Sequence, residues 1–216
     1  MNIRNFTERL NGVLEDLPGV EAHELMAPST RLRDMNNLRH QTEPVSSSIL
    51  ILLYPHQDRI STVLIQRPNY DGVHGGQIGF PGGKYEQIDR DLMATALRET
   101  EEEIGVHPEA IEIIGKLSDL YIPPSNFMVC PFIGFCMEAP KFNIDPHEVD
   151  GIITISVDDL FVDEHIQEVS IPHRKYGTLD VPAFVIRNHI IWGATAMMLA
   201  EFRAVVERFY QPLPEL

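Results

Sequence analysis

Between Asn69 and Lys84 the chain carries Gly72, Gly75, Gly76, Gly79, Gly82 and Gly83. No helix interior tolerates that density, because each glycine there costs about 1 kcal/mol relative to alanine. The stretch is a loop, and a backbone largely free of Cβ atoms can approach a ligand closely. The run from Asp91 to Ile104 that follows reads as a helix. Asp89 or Asp91 can cap its start, Leu92, Ala96, Leu97 and Ile104 form an apolar face, and Gly105 stops it.

The last turn of this helix holds Glu99, Glu101, Glu102 and Glu103. At about 100° per residue, Glu103 lies roughly 40° to one side of Glu99 and Glu102 roughly 60° to the other, while Glu101 points away. A solvated acidic face is the ordinary reading of such a run. Three carboxylates at a helix C-terminus, where the macrodipole is already negative, repel one another unless a cation joins them. Donors that are all oxygen favour Mg²⁺ or Mn²⁺ over zinc, and Mg²⁺ keeps waters and substrate phosphates in its shell, so the expected substrate carries phosphate. Gly82 can present its carbonyl to the same ion. Arg98, four residues before Glu102, can hold a carboxylate in place with its planar fork.

Composition narrows the partners. The 216 residues include 32 Asp+Glu against 17 Lys+Arg, a net charge of −15 that repels nucleic acid without excluding phosphate esters that arrive with a divalent cation. Cys130 and Cys136 offer neither a disulfide framework nor a zinc set and read as buried, reduced thiols. No apolar run reaches the roughly 20 residues of a membrane helix, and Arg4, Glu8 and Arg9 interrupt any signal-like start, so a cytoplasmic location is expected.

Along the chain, Ile3, Phe6, Leu10, Val13 and Leu17 recur at helical spacing and predict a leading helix over 1–17, stopped by Pro18-Gly19. Residues 21–44 read as an irregular arm that wraps the domain or contacts a partner chain. Strands are predicted at 48–54 and 61–66, as a hairpin or adjacent pair, and at 112–117, 128–136, 151–157 and 183–186. A closing helix spans 194–209. The result is one α/β sandwich around a mixed sheet, with residues 1–44 as helix and arm and 45–216 as the main body. A homodimer is expected, because the catalytic segment requires neither the leading helix nor the arm.

Gly83 to Val106 resembles the Nudix box. Arg98-Glu99, Glu102-Glu103 and Gly105-Val106 match its second half, with Thr100 where an aliphatic residue is usual. The spacing from Gly83 to the acid Asp89 also matches, although that acid is Asp rather than Glu, and eight residues rather than seven precede Arg98. Gln66-Arg67-Pro68, the loop Val73 to Lys84 and the ending Thr95-Ala96-Leu97-Arg98-Glu99 are similar to the coenzyme A pyrophosphatase branch, which carries the longer box. Ile191 to Ala196 is similar to that branch's C-terminal helix entry.

The resemblance implies a Nudix-type α/β/α sandwich. Glu99 and Glu103 would bind metal, Glu102 would complete or bridge the cluster, the Gly82 carbonyl would be a further ligand, and Arg98 would orient a carboxylate. Glu99, Glu102 and Arg98 would thus serve catalysis, with Mg²⁺ or Mn²⁺ as cofactor. The implied reaction is attack of metal-activated water on a diphosphate, giving 3′,5′-ADP and 4′-phosphopantetheine from coenzyme A. ADP-ribose, a dinucleoside polyphosphate or a nucleoside triphosphate is the alternative substrate, and a non-catalytic nucleotide sensor the alternative class. Arg67, His74 and Lys84 are the candidate substrate contacts. Glu148 could be the general base, as could Glu102, and an ordinary surface acid competes with that reading. Trp192 and Phe80 read as core or wall residues, and His165, His173 and His189 are too dispersed for a metal set. Tyr85 after Gly79-Phe80-Pro81-Gly82-Gly83-Lys84 excludes a phosphate-binding loop of the P-loop type.

Overall fold

The computed structural model describes residues 1–37, 42–68, 75–173 and 177–212. In chain order its elements are α1 (Ile3–Asn11), α2 (Val20–Glu24), α3 (Arg31–Asn37), β1 (Val45–His56), β2 (Arg59–Gln66), β3 (Ile78–Gly79), β4 (Gly82–Lys84), α4 (Leu92–Ile104), β5 (Glu112–Lys116), β6 (Leu120–Ile122), β7 (Phe127–Phe135), β8 (Gly151–Ser156), β9 (Ile166–His173), β10 (Gly177–Ile186), β11 (His189–Trp192) and α5 (Gly193–Glu207).

β1 organises the molecule. Leu50, Leu52 and Tyr54 alternate with Ile51 and Leu53, and none is more than 1% exposed. A strand buried on both faces needs a layer on each side. On one face Leu50, Leu52 and Tyr54 join Val63 and Ile65 of β2 and Ala96 and Ile104 of α4. On the other, Ile51 and Leu53 pack in a cluster with Phe6 and Leu10 of α1 and Met197, Phe202 and Val206 of α5. The result is the expected α/β/α sandwich. Its sheet is mixed: β1 runs parallel to β7, is antiparallel to β2 and β4, and lies in the path β3-β2-β1-β7-β5. The hairpin turn between β1 and β2 places Gln57 at φ 49° and Asp58 at φ 61°, the pair of positive angles that matches strand twist in a tight turn.

Several expected boundaries move. α1 ends at Asn11 rather than 17, because Gly12 interrupts the helix and Val13 and Leu14 continue as tighter turns bonded to the Leu10 and Asn11 carbonyls. Val13, Leu14 and Leu17 still pack against the core, so their spacing reports burial rather than continuous helix. The arm is less irregular than expected, since it contains α2 and α3. Beside the mixed sheet stands a second, three-stranded antiparallel sheet in the order β11-β10-β9, of which only 183–186 was expected.

One face of α1 and one face of α2 pack within the chain. Phe6 and Leu10 are fully buried, as are Ala22 and Met26 nearly so. Buried His23 of α2 meets the fully buried Glu201 of α5 at 2.9 Å, and Glu201 also accepts from the backbone N–H groups of Gly19 and Ser118. These contacts account within one chain for the apolar faces of α1 and α2.

Candidate active site

α4 forms where expected. The Asp91 side chain caps it by accepting from the Ala94 N–H at 2.8 Å, and Gly105 closes it in the left-handed conformation at φ 72°. The glycine loop returns as β4, paired to β1 across Ser48–Gly83 and Ile49–Gly82. At Gly82 only glycine fits. Gly82 has φ 152°, and a Cβ on it would lie 2.3 Å from the Ser48 carbonyl oxygen, while one on Gly83 would lie 2.4 Å from the Glu99 carboxylate.

This close approach lets the Gly82 N–H donate to Glu103 Oε2 at 2.8 Å. Arg67, just past β2, lies 3.3 Å from Glu103 Oε1 and donates to the Gly82 carbonyl at 2.9 Å. Glu103 is nevertheless 1% exposed, and burial pushes its pKa up to about 7 against the opposing pull of Arg67. Burial likewise raises Glu99, which Arg98 contacts at 2.9 Å. A third carboxylate, Glu148, arrives on the turn before β8, and one oxygen from each of Glu99, Glu103 and Glu148 lies within 4.8 Å of the others. That turn is tied to α4 by the Asp145 N–H on the Glu103 carbonyl at 3.1 Å. Three hard oxygen donors this close, two of them raised by burial, fit a divalent cation, whose charge would relieve both burial and mutual repulsion.

Glu102 is not in this group. Its half-exposed carboxylate accepts from Arg98 at 2.8 Å, an i,i+4 pair that holds it on the outer side of the helix. Glu101 points away, as its helical phase requires, and pairs with the exposed His107. Arg98 is a hub. It forks onto Asp89 at 2.9 and 3.0 Å, reaches Glu99 and Glu102, and donates to the Lys84 carbonyl. Asp89 also accepts from the Glu86 N–H and the Thr95 hydroxyl, and the Arg98 hydrogen bond is the main cause holding its carboxyl down at about 2. The acid of the longer box thus positions Arg98.

On the other side of Gly82 and Gly83 opens a cavity of about 1050 Å³, lined by Arg67 and Lys84 among others. Lys84 Nζ sits 5.6 Å above the Phe127 ring. Ile122, Phe127, Trp192, Met197 and Met198 give the cavity a long apolar wall. Phe80 and Trp192 are wall residues as expected, with Phe80 2% exposed. His74 lies outside the described residues. His165 bonds the Asp159 carbonyl, as a structural histidine does. Two contributors escaped the sequence reading: Glu148, weighed only as a base, joins the carboxylates, and Arg31 of α3 lines the cavity. A basic residue in a polar arm gives no local sign of its destination.

Helices on both sides of a mixed sheet, with carboxylates gathered behind Gly82 and Gly83, suit metal-assisted chemistry on a phosphate-bearing ligand, and similarity to known proteins names the class, a hydrolase of phosphoric anhydrides. A family model of the NUDIX domain matches residues 45–176, so the chain belongs to the Nudix family. It is 29% identical over 161 residues to an uncharacterized Nudix hydrolase NudL of Pectobacterium atrosepticum, covering 74% of this chain and 81% of that one. It is 29% identical over 175 residues to Nudix hydrolase 15, mitochondrial, of Arabidopsis thaliana, covering 76% and 59%. Among solved structures, the Nudix hydrolase RenU of M. smegmatis superposes with a TM-score of 0.56 at 13% identity over 88% of this chain and 98% of that one, which supports the fold. Nudix hydrolases generally use divalent metal cations. Among the described residues no helix is long and apolar enough to cross a membrane.

Proposed function

We propose that this chain is a Mg²⁺- or Mn²⁺-dependent diphosphatase that cleaves coenzyme A or a coenzyme A derivative to 3′,5′-ADP and 4′-phosphopantetheine. The observation that carries the proposal is the shared wall: Gly82 and Gly83 touch the carboxylate cluster on one side and line the large cavity on the other. A diphosphate at that wall would lie beside the cluster while the rest of its molecule filled the cavity. Coenzyme A is a nucleotide joined through a diphosphate to a long arm, and such a ligand suits a cavity with cations near the cluster and an apolar wall beyond.

Glu99 and Glu103 would hold the cation, with Glu148 closing the set, while the Gly82 carbonyl, expected as a further ligand, accepts from Arg67. When bound, the metal lowers the pKa of a coordinated water and neutralises charge on the diphosphate. The chain's own residues do the rest. Arg98, fixed by Asp89, orients Glu99, and Arg67 orients Glu103. Glu148 is the exposed member of the trio, and we assign it acceptance of the proton from the attacking water. Arg67 and Lys84 steer the diphosphate to the wall. The buried, reduced thiols Cys130 and Cys136 suit a cytoplasmic location.

A substrate panel tests the reading. With Mg²⁺ or Mn²⁺ the protein should release 3′,5′-ADP from coenzyme A with a higher kcat/KM than it shows on ADP-ribose, and a chelator should abolish release. A clear preference for ADP-ribose moves the substrate assignment and keeps the metal site. Nucleotide binding without any hydrolysis makes the chain a sensor.

A further inference from the structure

The described charged residues lining the cavity are Arg31, Asp34, Arg67 and Lys84. Three are cations, an excess of positive side chains on this wall of a chain whose net charge is −15. Arg67 belongs to the diphosphate end, and the Lys84 ammonium, 5.6 Å from the Phe127 ring centroid, reaches from β4 over β7. Arg67 is engaged with Glu103 and Gly82, and Lys84 stands on β4 with its carbonyl holding Arg98.

Arg31 comes from another quarter. It opens α3, in the arm that precedes the matched domain, and its Nη2 donates to the Tyr121 carbonyl of β6 at 2.9 Å. That bond uses one of five guanidinium N–H donors and fixes the direction of the fork. The strand register measures how far the Tyr121 backbone, which holds Arg31, lies from β4. Tyr121 pairs with Met128, Met128 with Ser46, and the neighbouring Ser47 with Lys84, so β6 and β4 lie three strand spacings apart. At about 4.8 Å per spacing that is roughly 14 Å, farther than one diphosphate group reaches. Burial lowers the pKa of Arg31, yet a guanidinium stays charged at neutral pH, and a partly desolvated cation is best completed by an anion. Asp34, one turn along α3, is the carboxylate on this wall, and the described lining stays net positive with it included.

We infer that Arg31 is a specificity-determining residue that binds a second anionic group of the substrate, a phosphate monoester held away from the scissile diphosphate. This rests on the diphosphatase reading. It assigns the arm a function that the catalytic box does not supply: discrimination between diphosphates that carry an extra phosphate and those that do not.

The test compares coenzyme A with dephospho-coenzyme A, which differ by the 3′-phosphate, using the full chain as wild type, R31A and Arg31→Lys. R31A should lower kcat/KM for coenzyme A roughly tenfold more than for dephospho-coenzyme A, mainly through KM, as loss of one charge-assisted hydrogen bond implies. Arg31→Lys should recover part of the difference. An equal loss on both substrates marks a structural role and overturns the inference, as does no change. Calorimetric titration with 3′,5′-ADP and 5′-AMP separates this from the activity itself. Wild type should bind 3′,5′-ADP more tightly and R31A should lose that preference. If wild type hydrolyses neither coenzyme A nor dephospho-coenzyme A, the coenzyme A reading falls while the titration still decides Arg31, and equal binding of both nucleotides by wild type overturns it.

Discussion

Gly82 and Gly83 are neighbours whose substitution should fail in opposite ways. An alanine Cβ at Gly83 would press on the Glu99 carboxylate, the movable end of a side chain, whereas one at Gly82 would meet the Ser48 and Ile49 backbone at 2.3 and 2.6 Å. Gly83→Ala should therefore fold normally and lose on the order of 100-fold in kcat, as misplacing a catalytic group by about 1 Å does. Gly82→Ala should lose about 2 kcal/mol or more of stability. Circular dichroism melts beside turnover assays separate the two, and similar behaviour in both variants would contradict the geometry. Asp89 gives a pH prediction. Its carboxyl is held down from 3.8 to about 2, mainly by the Arg98 hydrogen bond. A depressed acid stabilises the folded state fully above its unfolded pKa and loses that contribution as pH falls through the folded value, so Asp89 should support stability down to about pH 4 and fail between there and about pH 2. In Asp89→Asn the melting temperature should fall less steeply across that window, and an unchanged slope would contradict the assignment. The proximity of Glu99 and Glu103 and the outward direction of Glu101 were legible from helical phase, whereas Glu102, which the same phase placed with them, is held outside by Arg98. Glu148 was not legible, because a residue 45 positions beyond Glu103 reaches the cluster through tertiary packing that no local period records.

At the scale of elements, α4 was the most legible part of the chain, since its cap at Asp91 and its stop at Gly105 are local chemistry. β1 and β2 were equally plain as β-branched runs on either side of a turn. The small sheet was mostly hidden: β9 alternates poorly and contains Pro172, which suits an edge strand. The arm hid for a different reason. Its anchor, His23 on Glu201, joins residues 178 apart, and short α2 has too few turns to show a period. Removing that anchor should loosen the wall that α3 contributes to the cavity. His23→Ala leaves a carboxylate at Glu201 with 0% exposure and one partner fewer, a loss of roughly 2–3 kcal/mol that should lower Tm by several degrees. Differential scanning calorimetry checks this, and a Tm within one degree of wild type would show that the pair does not hold the arm.

Across the whole molecule, a net acidic chain holds a cavity with three cations among its described lining. In a chain of net charge −15, the carboxylate trio gathers beside Gly82 while Arg67, Lys84 and Arg31 line the hollow that the apolar wall completes. The sandwich brings this about by packing α4 on one face of the mixed sheet and α1 and α5 on the other, so that β4 stands between the cluster and the cavity. Everything functional in this account depends on the buried carboxylate at that junction, Glu103. The most direct measurement is the turnover of coenzyme A by Glu103→Gln at saturating Mg²⁺ or Mn²⁺, with circular dichroism to confirm folding. The account predicts a folded protein whose kcat falls on the order of 10²–10³-fold, because a ligand charge that supports both the nucleophilic water and the leaving phosphate is lost. Near-wild-type turnover in that folded variant would contradict it.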